Sequence, residues 1–412
     1  FKNLGFFWVL YMKISNSYLF SQANKNIQSA QSDVAKSREK IATGKSLVRP
    51  SDDTSKLRSI ELLKSQQRKI ESYDKGMNFL EERYKLEESV LSSASDILIR
   101  VKELAIQAAN DTLSTADRDI IATEVDNLRD ELIAIANTRD VSGNYIFSGS
   151  KSDSQPFVTN ETTGAVNYSG DNRALFTAVS DSRTLQSNTD GTEVFKPVSR
   201  TTSTFELKGI DLGGNYNFKV DDALIEFEIP SSASTTDIKS KVEMALSVSG
   251  VSSTVAVDMV AGKPEITLTL TGEAGVALTG VEVTKGSDSA PLTATLKASS
   301  STGVDFFKML GDFHAALKSD VRSDISRAVS ELSSAQGNIA GSLGEIGGKL
   351  NTVQRQQDIN ADLSLQVDSL LSSEEDLDYA KAVTQFNAEM VRLEATQATF
   401  AKVAQLSLFQ FI

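Results

Sequence analysis

The sequence predicts an α+β multidomain chain. A long coiled-coil-like helical bundle is built from both chain ends, and a mostly-β domain is inserted in the middle. Three observations carry this. At both ends, apolar residues recur at alternating steps of four and three, the period of one helix face. Leu63, Ile70, Met77, Tyr84, Leu91, Leu98 and Ala105 stand seven apart without a miss. From about 150 to 302 that period is largely gone, and five of the six prolines fall there (Pro156, Pro197, Pro230, Pro264 and Pro291).

The first stripe is Phe20, Ala23, Ile27, Ala30, Val34 and Ile41, with Ser37 its one polar member, and Gly44 stops the helix. Residues 1–11 are set apart: Leu4 to Tyr11 is an apolar octet, short of the about 20 residues a bilayer needs. It precedes Met12, which is expected to be the true start, so 1–11 is expected to be an upstream extension. After Gly44 comes a break, with Ser51 as N-cap and Asp52 and Asp53 at the positive end of the next helix. That helix carries the sevenfold series, with Tyr73, Leu80, Ala94, Val101 and Ala108 on the neighbouring ridge. Gly76 interrupts it at a cost of about 1 kcal/mol relative to Ala. Asn110–Ser114 is a turn, and Ile121, Val125, Leu128, Leu132 and Ile135 mark another helix. Thr138–Gly149 reads as a strand between glycine turns.

In the insertion, Phe205-Glu206-Leu207, Ile225–Ile229, Val255–Val257 and Ile266–Leu270 alternate as half-buried strands, and Ile238, Val242 and Leu246 mark one short helix. Helix returns near Val304, with Phe306, Leu310, Phe313, Leu317 and Val321 on one face, continued by Val329 through Val353 and then Leu363, Val367 and Leu370. Ser373, with Asp376 three residues on, signals the last helix, which nothing is expected to interrupt. Its stripe is Tyr379, Val383, Phe386, Met390, Leu393, Gln397, Phe400 and Ala404, and the terminus beyond is apolar. The expected division is therefore 12–45 with 371–412 as a terminal coiled-coil assembly domain, 46–180 with 303–370 as a helical bundle domain with a β-hairpin, and 181–302 as the inserted domain.

One apolar stripe cannot bury itself. The candidate assembly interface is Phe20, Ile27, Val34 and Ile41 at one end, with Val383, Phe386, Met390, Leu393, Phe400, Leu406, Leu408 and Phe409 at the other. The partner is either the chain's own core or other copies of the chain. Composition narrows the rest. A net charge of −13 argues against a nucleic-acid binder. Without cysteine there is no disulfide or thiolate metal site. The single histidine, His314, reads as a helix-face residue, and no catalytic group, metal or cofactor is expected. Thr43-Gly44-Lys45-Ser46 fails as a phosphate loop because Glu39 stands where glycine is needed, and Gly347-Gly348-Lys349 fails likewise.

The order of motifs resembles the flagellin family, and within it the hook-associated protein 3 branch. The matching residues are Met12-Lys13-Ile14-Ser15, Thr43-Gly44-Lys45, Pro50-Ser51-Asp52-Asp53, Gly143–Gly149 with Pro156-Phe157, and Tyr168-Ser169-Gly170-Asp171. Late in the chain come Gly344–Asn351, Glu375–Ala380 and Ala398–Val403 running to Phe409. Residues 205–285 look like the small flagellin insertion module. The resemblance implies a secreted structural subunit of the bacterial flagellum, a ring of adapters between hook and filament. It implies other copies of itself, hook-associated protein 1 and flagellin as partners. It further implies passage through the flagellar export channel and a chaperone on the C-terminal helix. A flagellin-type filament subunit is the alternative. An enzyme carried in the insertion is a third reading, opposed by the lack of His, Cys and paired acids at 150–302.

Overall fold

The computed structural model describes residues 4–110, 112–220, 223–248, 253–272, 281–286, 291–292 and 294–409. The elements begin with α1 (Leu4–Thr43), α2 (Thr54–Ala108), α3 (Thr115–Ala136), β1 (Phe157–Thr159), β2 (Val166–Tyr168), β3 (Phe176–Ser180), β4 (Arg183–Gln186) and α4 (Gly191–Val194). Then follow β5 (Val198–Leu207), β6 (Gly214–Val220), β7 (Ala223–Ile229), α5 (Thr235–Val248), β8 (Ser253–Val260), β9 (Lys263–Gly272), β10 (Val281–Lys285), β11 (Pro291–Leu292) and β12 (Ala294–Val304). The chain closes with α6 (Phe306–Ser319), α7 (Arg322–Glu375) and α8 (Tyr379–Phe409). Two compact units result, Gly76–Gln356 and Phe1–Lys75 with Gln357–Ile412.

In the Gly76–Gln356 unit the sevenfold face of α2 is buried at Met77, Tyr84, Leu91, Leu98 and Ala105. It shares one core with Ile121, Val125 and Leu132 of α3, Phe306, Leu310 and Phe313 of α6, and Leu332, Ile339 and Val353 of α7. Ser114 and Asp117 cap α3 reciprocally. The sequence reads one helical face through Val321, but the helix breaks at Asp320, which adopts φ 55°. Arg118 explains why the break is tolerated. Its buried guanidinium donates to Asp320 Oδ1 at 2.7 Å, to Ala108 O at 3.1 Å and to Asn110 O at 3.0 Å. One cation thus satisfies carbonyls at the end of α2 and the residue that ends α6, both sites where a positive charge is favoured.

Thr138–Gly149 is not the strand its composition suggests. It is a run of turns with isolated bridges, Arg139 to Tyr145 and Ser148 to Asp190. Asp140 Oδ1 accepts from the amides of Ser142 and Asn144, which curls the chain. Tyr145, Ile146, Phe147 and Ser148 are consecutive and all buried, which a strand with one exposed face cannot achieve. Gly149, at φ +66°, lets Asp171 approach: a Cβ there would stand 1.9 Å from Asp171 O. Asp171 in turn accepts from Ser150 N and Oγ, both at 2.6 Å.

The inserted module has its own core. Two four-stranded antiparallel sheets, ordered β11-β10-β6-β7 and β12-β5-β9-β8, enclose Phe205, Phe218, Phe227, Leu268 and Leu270. Helix α5 packs on β7 and β8 and buries Ile238, Val242 and Leu246. The strands expected at 205–207, 225–229, 255–257 and 266–270 are all present. β5 and β12 pair from Val198–Val304 out to Leu207–Ala294, so one ribbon carries the chain away from the helices and back.

The foot of that ribbon is fastened twice. Phe195, just before β5, stands 5.3 Å from Phe306 and 5.5 Å from Phe307, just after β12, and 5.3 Å from Phe157. Arg200 of β5 grips both oxygens of the buried Glu331 on α7, at 2.7 and 2.9 Å, and Asp312 on α6 at 2.7 Å. Arg327 completes the cluster through Glu331, at 3.1 Å, and Asp324. Arg200→Met leaves Glu331 buried beside one remaining cation. The unit is expected to lose about 3–5 kcal/mol, and Arg200→Met with Glu331→Leu to recover most of it. Urea unfolding midpoints at constant slope check both variants.

Candidate assembly surface

The surface belongs to the unit of Phe1–Lys75 with Gln357–Ile412. Helices α1 and α8 pair antiparallel along their stripes, because each carries one apolar face and both faces have the same period. Phe20 and Phe400 meet with ring centroids 4.9 Å apart. Further along, Asp33 Oδ2 accepts from Arg392 at 3.5 Å, and Ser37 Oγ donates to Glu389 Oε2 at 2.5 Å. Ala30 is the most deeply buried member of the α1 stripe, at 2% exposure.

Where α1 ends, both breaks of the chain lie side by side. Gly44, at φ +71°, lets the chain turn, and a Cβ there would sit 2.9 Å from the Tyr379 hydroxyl. Gly44 O accepts from Leu377 N at 3.0 Å, and Ser46 N donates to Glu375 O at 2.8 Å. These bonds take the backbone out of helical geometry at Asp376–Asp378. The last helix therefore starts at Tyr379, with Asp378 accepting from Lys381 N at 3.0 Å. The start signal at Ser373 is overturned: Ser373 lies inside α7, its hydroxyl on Leu370 O. Asp53 caps α2 in place of Ser51, accepting from the amides of Ser55 and Lys56 at 3.0 Å. Glu375 completes a clasp, with Lys45 Nζ at 2.6 Å and Lys64 Nζ at 3.1 Å. The flanking segments are tied by Gln67 to Asp368 at 2.8 Å and Asn360 to Asp74 at 3.3 Å.

The structure brings the two sequence-derived stripes together but does not enclose them. Ile27, Val34, Ile41, Phe386, Leu393 and Phe400 are half-buried. Phe20 is 46% exposed, Val383 43% and Met390 36%. The side chains of Leu406, Leu408 and Phe409 lie outside those described. Exposure continues at Tyr18, Tyr379 and Val391, and at Ile359, Leu363, Leu365 and Leu370 of α7. Tyr18, Ile359, Leu365 and Val391 fall outside the stripes read from the sequence, so sequence reasoning missed them. The clasp was missed too, because ion pairs between residues hundreds of positions apart leave no local signal.

The hydrogen bond and charge of Lys45, with those of Lys64, hold the Glu375 carboxyl below the ordinary carboxylate range. A carboxyl lowered on folding stabilises the folded form above its unfolded value, and loses that contribution as pH falls through its folded value. The clasp should therefore loosen in acid, at a pH below the ordinary glutamate range. Glu375→Gln should flatten that acid limb while leaving the melting of the Gly76–Gln356 unit unchanged. Circular dichroism melts across pH check this.

Residues 14–152 match the family described as the bacterial flagellin N-terminal helical region. The chain is 30% identical over 219 residues to flagellar hook-associated protein 3 of Salmonella typhimurium, covering 53% of this chain and 68% of that protein. A flagellin of Clostridium tyrobutyricum is 29% identical over 140 residues, covering 34% of this chain and 37% of that protein. Among solved structures, flagellar hook-associated protein 3 from Legionella pneumophila shares the fold, with TM-score 0.50 and 21% identity over 76% of this chain and 98% of that one.

Proposed function

The chain belongs to the flagellar hook-associated protein 3 family, and we propose on that premise that it is an adapter joining hook to filament by self-assembly through its terminal helices. It is a structural subunit of the bacterial flagellum, a part of the extracellular organelle. The observation that supports the terminal helices as the joining surface is the exposure left after α1 and α8 pair. Tyr18, Phe20, Tyr379, Val383 and Val391 remain between 43% and 68% exposed. Burying one such side chain fully contributes roughly 1.5–3 kcal/mol, so neighbouring copies in a ring gain much by covering them. Hook-associated protein 1 on one side and flagellin on the other are the further partners of this reading, with an export chaperone on the C-terminal helix before assembly. Among the described residues no helix is long and apolar enough to cross a membrane. The filament-subunit alternative has less support, because the flagellin match covers 34% of the chain against 53% for the hook-associated relative.

The division of labour follows. The ends assemble, the Gly76–Gln356 unit supplies a stable body, and the inserted module projects. Electron microscopy of a deletion strain tests the role: shed filaments beside intact hooks are expected, and attached filaments would refute it. Leu393→Asp or Phe400→Asp should leave hooks bare, since both side chains are half-buried in the α1–α8 seam, where Phe400 packs on Phe20, and a charge placed there costs several kcal/mol. The thermal transition of the Gly76–Gln356 unit should stay put. A shortened chain that joins Thr204 to Ala298 through Asn-Gly keeps Arg200 and the ribbon foot, because those two residues are register partners. It should be secreted and still nucleate filaments, which a swarming assay and micrographs check.

A further inference from the structure

We propose that Ser37 and Glu389 fix the register in which the two chain ends pair. The stripes cannot do so by themselves. Both repeat every seven residues, and apolar burial is non-directional, so a slip by one heptad presents nearly the same surfaces. Ser37 is the exception in the α1 stripe. It is 9% exposed and donates to Glu389 Oε2, while Gln385 Nε2 donates to Glu389 Oε1 at 3.0 Å. One turn away, the Asp33–Arg392 pair repeats the polar match. Gln397, the other polar member of the stripes, is exposed and adds no such constraint.

A slip by seven residues moves the helices about 10.5 Å past each other. If Leu393 slides opposite Phe20, Glu389 comes opposite Ala30, the most deeply buried position of the α1 stripe. There the carboxylate would lose the Ser37 donor and be pressed into an apolar seam, which disfavours that register. Ser37 stands seven residues before Gly44, so it extends along the helices the alignment that the clasp begins. Ser37 and Glu389 act here as positioning residues.

The chain has no cysteine, so engineered disulfides report register without background. The full-length chain is oxidised carrying Phe20→Cys with Phe400→Cys, or Phe20→Cys with Leu393→Cys. In the parent seam the 20/400 bond should exceed the 20/393 bond about tenfold or more, since Cα atoms beyond about 7 Å cannot be bridged without backbone movement. With Ser37→Val and Glu389→Leu the helical signal should persist while the two yields become comparable. Ser37→Thr with Glu389 unchanged, which keeps the hydroxyl and its acceptor, should keep the single register. Three results would overturn the proposal. Equal yields in the parent seam would mean that no register is set. A dominant 20/400 bond in the all-apolar seam would mean that the clasp alone sets it. Loss of helical signal in that seam would mean that the pair serves folding instead.

Discussion

A helix with one apolar stripe is marginal in water until that stripe is covered. This constraint shapes the whole chain, because the two stripes that need each other lie at opposite ends. Phe20 meets Phe400 only after the intervening residues have folded back. Closing a loop of several hundred residues costs roughly 5 kcal/mol, and the cost grows only with the logarithm of length. The Asn360–Asp74 and Gln67–Asp368 contacts shorten the remaining loop, which lowers that cost by roughly 1–2 kcal/mol. The clasp at Gly44 and Glu375 then aligns the last step.

Two arginines, Arg118 buried and Arg200 half-buried, do comparable work elsewhere, and lysine could do neither. Arg118 reaches two carbonyls and a carboxylate from one side chain, and Arg200 holds Glu331 with both arms of its fork and Asp312 as well. A planar guanidinium presents several donors in a fixed arrangement, where an ammonium is a point charge. Both sit at chain discontinuities. Arg118 binds the ends of α2 and α6, and Arg200 the place where the insertion leaves the bundle. At the first, the helix no longer pairs its last carbonyls internally, so Arg118 supplies the missing partners; at the second, Arg200 stays in the β5–β12 ladder and joins it to carboxylates of α6 and α7.

The insertion shows how a second domain can be hung on a helical one without a flexible tether. Its core is separate, yet β5 and β12 run from one core to the other as one ladder, shifted in register once between Leu296 and Ala298. The Phe195, Phe306 and Phe307 rings close the foot of the ladder, each such pair adding about 0.5–1.5 kcal/mol beyond burial. The module's direction is thus set by packing and charge at its base.

Periodicity determined a large part of this protein. The sevenfold series of α2, the strands of the insertion, the short helix at Ile238–Leu246 and the matching terminal stripes were all legible, because each is a repeat of residue type along a local element. The motif order also carried the family. What periodicity could not reach were the interruptions. The place of the α7–α8 break, three residues beyond the Ser373 signal, and the αL turn at Asp320 have no local breaker that forces them. They exist because Gly44 and Arg118 meet them from far along the chain. The clasp and the Ser37–Glu389 contact are of the same kind. A sequence records what each residue prefers among its neighbours; which distant backbone group captures a free donor or acceptor is decided only when tertiary packing brings the two together.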